Sequence, residues 1–173
     1  MNPAPPLLSI PVGVVVERRK ANSPWADEVW RPVAVFTGLP DAEPWTLLTG
    51  DTLTATFYAG AAEIELYRSE TDGYRRNLAS GMPSVWVALQ ATGSDPPYDI
   101  VAVTADPAEG EALTEPAQVI VEAVAMPEPV QDALAAFIAE HHVERVFEKR
   151  KRDTADPEAL ARRGPPMGRR DER

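Results

Sequence analysis

The sequence predicts an α+β fold: a single domain with a mostly antiparallel or mixed β-sheet, two or three helices, a long C-terminal helix and a disordered basic tail. Three observations lead there. Valine-rich runs open the chain, strand and helix patterns interleave from about residue 69 onward, and apolar residues recur at one-face helical spacing from Val130 to His141. The expected boundaries are a flexible N-terminus over 1–7, the domain over 8–148 and a charged tail over 149–173.

The first strand is expected over 9–19, where Val12, Val14, Val15 and Val16 stand nearly in a row. Asn22, Ser23 and Pro24 mark a turn, and 28–37 is a second strand whose Pro32 points to a sheet edge or a bulge. Gly38, Pro40 and Pro44 form a loop. Residues 52–58 and 63–67 read as the arms of a hairpin turning at 59–62 around Gly60, with Ile64 and Leu66 alternating against Glu63 and Glu65.

The period then changes. Ser69, Glu70 and Asp72 suit the start of a short helix over 69–79, which Gly81 and Pro83 end. Two apolar strands follow at 84–89 and 98–104, a helix opens on Asp106-Pro107, and strand composition returns over 118–124. Pro127 and Pro129 fit a first helical turn, after which Val130, Leu134, Phe137, Ile138 and His141 line one face. Beyond Phe147 large apolar residues almost vanish, so burial cannot offset the entropy of ordering the tail.

Composition narrows the chemistry. There is no cysteine, which removes disulfides, thiolate metal sites and thiol nucleophiles. Up to Val143 the chain carries seven basic against twenty acidic residues, a net −13, whereas from Glu144 onward ten bases meet seven acids, a net +3. An acidic body disfavours phosphate backbones, so no nucleic acid partner is expected. The stretch 7–16 is broken by Pro11 and Gly13 and is shorter than the roughly 20 apolar residues of a membrane helix. With three prolines and no basic residue over 1–6, no signal peptide is expected, and the expected compartment is the cytoplasm.

The glycines match neither a dinucleotide-binding nor a phosphate-loop pattern. Glu140, His141, His142 and Glu144 form the one metal-like cluster, but adjacent histidines on a helix point about a hundred degrees apart, and His141 belongs to the apolar stripe. No metal, cofactor or catalytic residue is therefore expected. Scarce positive charge lies beside aromatics instead: Arg18, Trp30, Arg31, Tyr67, Tyr74, Arg75, Arg76 and Asn77, the residue types of interface hot spots. With His141, His142 and the basic run Lys149, Arg150, Lys151 and Arg152, they make up the expected partner-binding set, the run being a docking arm for an acidic partner. The alternative is an anionic cofactor held by Arg18, Arg31, Arg75 and Arg76.

Several segments carry a resemblance: 10–19 (Ile-Pro-Val-Gly-Val-Val-Val-Glu-Arg-Arg), Pro24-Trp25, 30–35 (Trp-Arg-Pro-Val-Ala-Val), 74–80 (Tyr-Arg-Arg-Asn-Leu-Ala-Ser), 83–87 (Pro-Ser-Val-Trp-Val), 139–144 and 147–153. Over about residues 8 to 153 the chain resembles a bacterial family of unknown function that tends to be encoded beside molybdenum-dependent formate dehydrogenase and its maturation proteins. Some members carry a molybdopterin-guanine-dinucleotide biosynthesis label, which implies nucleotidyl transfer. Such transferases have an N-terminal glycine-rich loop followed by Arg or Lys, where this chain has the single Gly13 inside a valine run. The resemblance thus implies a noncatalytic accessory or assembly protein whose partner is a formate dehydrogenase subunit or maturation protein. The alternative it leaves is a molybdopterin- or nucleotide-handling enzyme or carrier.

Overall fold

The computed structural model describes residues 4–144. The expected tail, with Lys149, Arg150, Lys151 and Arg152, lies outside the described residues.

Strand β1 (Leu8–Ser23) places Val12, Val14 and Val16 wholly out of solvent, as period-two alternation requires. It turns at Pro24-Trp25 into β2 (Ala26–Phe36). A short strand β3 (Thr46–Gly50) and the long β4 (Thr54–Leu66) complete an antiparallel sheet in the order β2-β1-β4-β3. One 3-10 turn (Arg68–Glu70) leads to helix α1 (Thr71–Ala79). Then come β5 (Ser84–Ala91), β6 (Tyr98–Thr104), α2 (Pro107–Ala112), β7 (Val119–Ala125) and α3 (Glu128–His141), with the three strands forming a second antiparallel sheet in the order β6-β5-β7.

The two sheets approach each other where β2 lies beside β7 and β4 beside β6, and they enclose one core. Valines 12, 14, 16 and 35, Ile64 and Leu66 of the first sheet meet Val85, Val87, Leu89, Val103 and Val124 of the second. Helices α1 and α3 pack together, the Tyr74 and Phe137 rings meeting edge to face at 6.1 Å. They extend the same core with Val130, Leu134 and Phe137, the stripe read from the sequence. No helix among the described residues is long and apolar enough to cross a membrane.

The expected α+β fold with one sheet is corrected on two counts. Strands hold 48% of the described residues against 23% in helices, so the fold is mostly β, and the strands form two sheets that are both fully antiparallel. The excess comes from β1 and β4, 16 and 13 residues long. Nor is there a turn at 59–62. Val14 lies opposite Gly60 and Val15 opposite Tyr58, leaving Ala59 as an extra residue in a bulge of one continuous strand. Gly60 takes φ 136° there, a backbone that other residues rarely adopt. At the same level of the sheet Val15 faces Ala34 and Val16 faces Pro32, so Val33 is a second bulge, and the proline sits where its missing N–H is tolerated. Strand β3 lies between the expected loop at Gly38, Pro40 and Pro44 and the strand expected from residue 52, where no element was expected. Helix α3 ends at His141 after 14 residues, and any continuation past Glu144 is outside the described residues.

Candidate functional site

Four of the body's seven bases, Arg18, Arg19, Lys20 and Arg31, lie on β1 and β2. Arg18 stands directly opposite Trp30 on one side and Ala55 on the other, and Val16 stands opposite Phe57. Opposed residues and residues two apart share a face of a pleated sheet, so Arg18, Trp30 and Phe57 share one. The guanidinium lies 5.6 Å from the Phe57 ring centroid and 5.9 Å from that of Trp30, and its Nε is 3.7 Å from Glu28. Around Trp30 gather Phe57 at 5.6 Å, Trp45 at 6.0 Å and, from the second sheet, Tyr98 at 6.0 Å. All four aromatics are half-buried. Trp45 holds φ 66°, an uncommon backbone for a bulky side chain, while its N–H donates to the Tyr58 carbonyl.

Arg31 points to the opposite face, where Glu17 takes both its guanidinium and that of Arg19 at 3.2 Å. Beyond Lys20, whose N–H donates to the Leu53 carbonyl, β1 and β2 continue past β4 as a two-stranded ribbon. Trp25 at its tip is 93% exposed.

The other expected residues cluster around α1 and do different things. Tyr74 is fully buried; its hydroxyl donates to Glu70 and accepts from the Tyr67 N–H. Burial, together with the Glu70 carboxylate, pushes the Tyr74 hydroxyl far above the usual tyrosine range. Burial also raises the Glu70 carboxyl, with Glu109 and Asp106 adding to it and the Tyr74 hydrogen bond opposing. The Tyr67 hydroxyl donates to Glu65 at 2.5 Å, and that bond leads the causes that push its pKa up to about 12. Asn77 is buried as well. Its Nδ2 donates to the carbonyls of Ser84 and Ala105, both at 2.8 Å, and its Oδ1 accepts from the Ser84 N–H at 2.9 Å. Tyr74 and Asn77 of the expected contact set thus lie in the core, with their polar atoms bonded within the fold.

Arg75 sits 2.7 Å from the Nε2 of His142, whose Nδ1 lies 3.1 Å from the Thr71 hydroxyl. That hydroxyl donates to the Arg68 carbonyl, so His142 bridges the end of α3 to the start of α1. The tautomer follows: Nε2 accepts from Arg75, and Nδ1–H donates to Thr71. His141 instead stacks on Phe137 at 4.5 Å. The two histidines thus serve separate neighbours, and among the described residues no three His, Asp or Glu side chains gather as metal ligands. Arg76 is exposed on α1. The four arginines proposed to hold one anion fall on three elements, Arg18 on β1, Arg31 on β2 and Arg75 with Arg76 on α1, and Arg18 and Arg31 face opposite sides of the sheet.

Sequence reasoning missed Trp45, Phe57 and Tyr98. The Arg18–Trp30 pairing was accessible by counting back from the Pro24 turn, but nothing in the spacing of Trp45 or Tyr98 says which sheet face or which partner they meet. No curated protein and no solved structure matches the chain. The resemblance to a family of unknown function holds at that level: the family described as Protein of unknown function (DUF3305) matches residues 11–151, and the chain belongs to it.

Proposed function

We propose that the chain acts in the cytoplasm by protein–protein contact, without catalysis of its own, as an accessory or assembly protein of a molybdenum-dependent formate dehydrogenase system. The contact surface is the β1–β2 ribbon together with the Arg18–Trp30 face at its base. One observation carries this reading: a tryptophan left 93% in water at the tip of a ribbon that projects past its own sheet. Tryptophan is the side chain that gains most from being covered by a partner. Four half-buried aromatics and a cation at the ribbon's base supply a second, adjoining anchor. The choice of partner system comes from the resemblance alone.

The test is capture with the full-length tagged chain against co-expressed formate dehydrogenase subunits and maturation proteins. One of them is expected to be retained by wild type and retained about tenfold less by Trp25→Ala, which removes no packing within the chain. A deletion strain is expected to lose formate dehydrogenase activity. Retention of none of them, with normal activity in the deletion strain, overturns the reading.

A further inference from the structure

The two sequence segments 74–80 and 83–87 meet in space because Asn77 ties α1 to the start of β5, and the contact reading above uses neither. Where they meet, a cleft of about 600 Å³ opens, walled by Arg76, Met82, Trp86, Pro107, Ala108 and Glu111. Its size is that of a small-ligand site.

The cleft is built from the outer face of the second sheet. Val85, Val87 and Leu89 of β5 point into the core, which turns Trp86 outward. There α2 lies across the indole, and Gly110 permits this: a Cβ at that position would sit 2.3 Å from the ring. One side of the indole is thus braced by backbone, and the ring forms a fixed apolar wall. Met82, 81% exposed at the turn between α1 and β5, supplies a soft and adaptable wall beside it.

The polar atoms divide into those already committed and those still available. Asn77 is fully bonded; the Ser80 hydroxyl donates to the Asn77 carbonyl and accepts from the Met82 N–H, and the Ser84 hydroxyl donates to the Met82 carbonyl. The Arg76 guanidinium, the Glu111 carboxylate and the Trp86 indole N–H have no hydrogen bond or ion pair within the described residues. Two of these are donors, one of them a permanent cation, and both belong to residues that line the cleft. The third is a negative charge, which opposes any anion and opposes a doubly charged one about twice as strongly as a singly charged one.

We propose that this cleft binds a small monoanion with a flat apolar body, of the aromatic carboxylate class. The carboxylate pairs with Arg76 and the body lies against Trp86 and Met82. Glu111 sets the charge limit, admitting a monocarboxylate and rejecting phosphate esters. The site is independent of the Trp25 ribbon, so neither reading depends on the other.

Titration calorimetry on the full chain tests it, with indole-3-acetate and benzoate as probes and indole and inorganic phosphate as controls. Indole-3-acetate is expected to bind with a Kd below about 1 mM and to lose about tenfold in affinity in Arg76→Gln, an exposed position that leaves the fold intact. Glu111→Gln is expected to tighten carboxylate binding and to let phosphate in. Failure of both carboxylates to bind wild type at about 10 mM overturns the site. Equal binding of indole and indole-3-acetate, or unchanged binding in Arg76→Gln, overturns the assignment of an anion. Phosphate binding by wild type overturns the role of Glu111.

Discussion

Replacing Asn77 with alanine separates a side chain that holds the fold from one that meets a partner. The substitution removes three hydrogen bonds, two to carbonyls and one from an N–H. At about 1 kcal/mol net for each, their loss comes to about 3 kcal/mol. The Ala105 carbonyl is stranded in a fully buried residue, which adds about 1 kcal/mol or more, whereas the half-buried Ser84 groups can turn to water. Alanine returns about half a kcal/mol through its better helix propensity. The sum is a loss of about 3–4 kcal/mol, a factor of several hundred in the folding equilibrium. Urea unfolding followed by tryptophan fluorescence and circular dichroism reads it directly, as a lower midpoint at unchanged m. A loss under about 1 kcal/mol would refute the account of Asn77 as a clamp between α1 and β5. Wild-type stability combined with lost partner capture would return Asn77 to the contact surface.

Other perturbations check other parts of the structure. Because burial raises the Glu70 carboxyl above 4.5, the protonated form favours the fold: the group's contribution is complete below pH 4.5 and is lost as pH rises through its raised value. Glu70→Gln keeps an acceptor for Tyr74, so its stability relative to wild type should grow from pH 4.5 toward neutrality in a series of urea midpoints; a variant less stable at neutral pH would show that the charged hydrogen bond dominates. A Cβ at Gly13 would lie 2.4 Å from the Phe36 ring, so Gly13→Ala should cost about 1–3 kcal/mol, with part recovered in the double variant with Phe36→Leu. Additive losses in that cycle would break the link to Phe36. Arg18→Ala should lose about 0.5–1 kcal/mol from its two aromatic contacts, while Arg31→Ala, which loses only an exposed ion pair, should change thermal stability by less than that. Equal losses would remove the distinction between the two faces of the sheet.

Local order was legible wherever one period dominated. The valines of β1, the Asp106-Pro107 start of α2 and the apolar stripe of α3 each stand where their patterns place them, and Asp106 does cap α2 by accepting from the Ala108 N–H at 3.3 Å. What was not legible depends on long-range pairing. Gly60 reads as a turn because glycine usually punctuates, yet in β4 it relieves a bulge, and only the partner strand β1 reveals the difference. Strand β3 is exposed at all five residues, so burial left no alternation in its sequence to read. The expected contact set named Tyr74 and Asn77 from composition, and their burial follows from α1 facing α3 and β5, which no local signal specifies. The Trp86 cleft escaped for the same reason: its walls come from α1, β5 and α2.

The first strand of the chain is an interior strand, flanked by β2 on one side and β4 on the other. During synthesis β2 emerges soon after β1, but β1's second neighbour is complete only once residue 66 has cleared the ribosome, and β7 and α3 come later still. Until then an apolar valine ribbon waits with one edge open, the configuration in which nascent β proteins recruit chaperones or stick to one another. With so many pairings distant in sequence, slow folding is the expected regime, and truncations near the N-terminus should reduce yield more than their small share of the chain suggests.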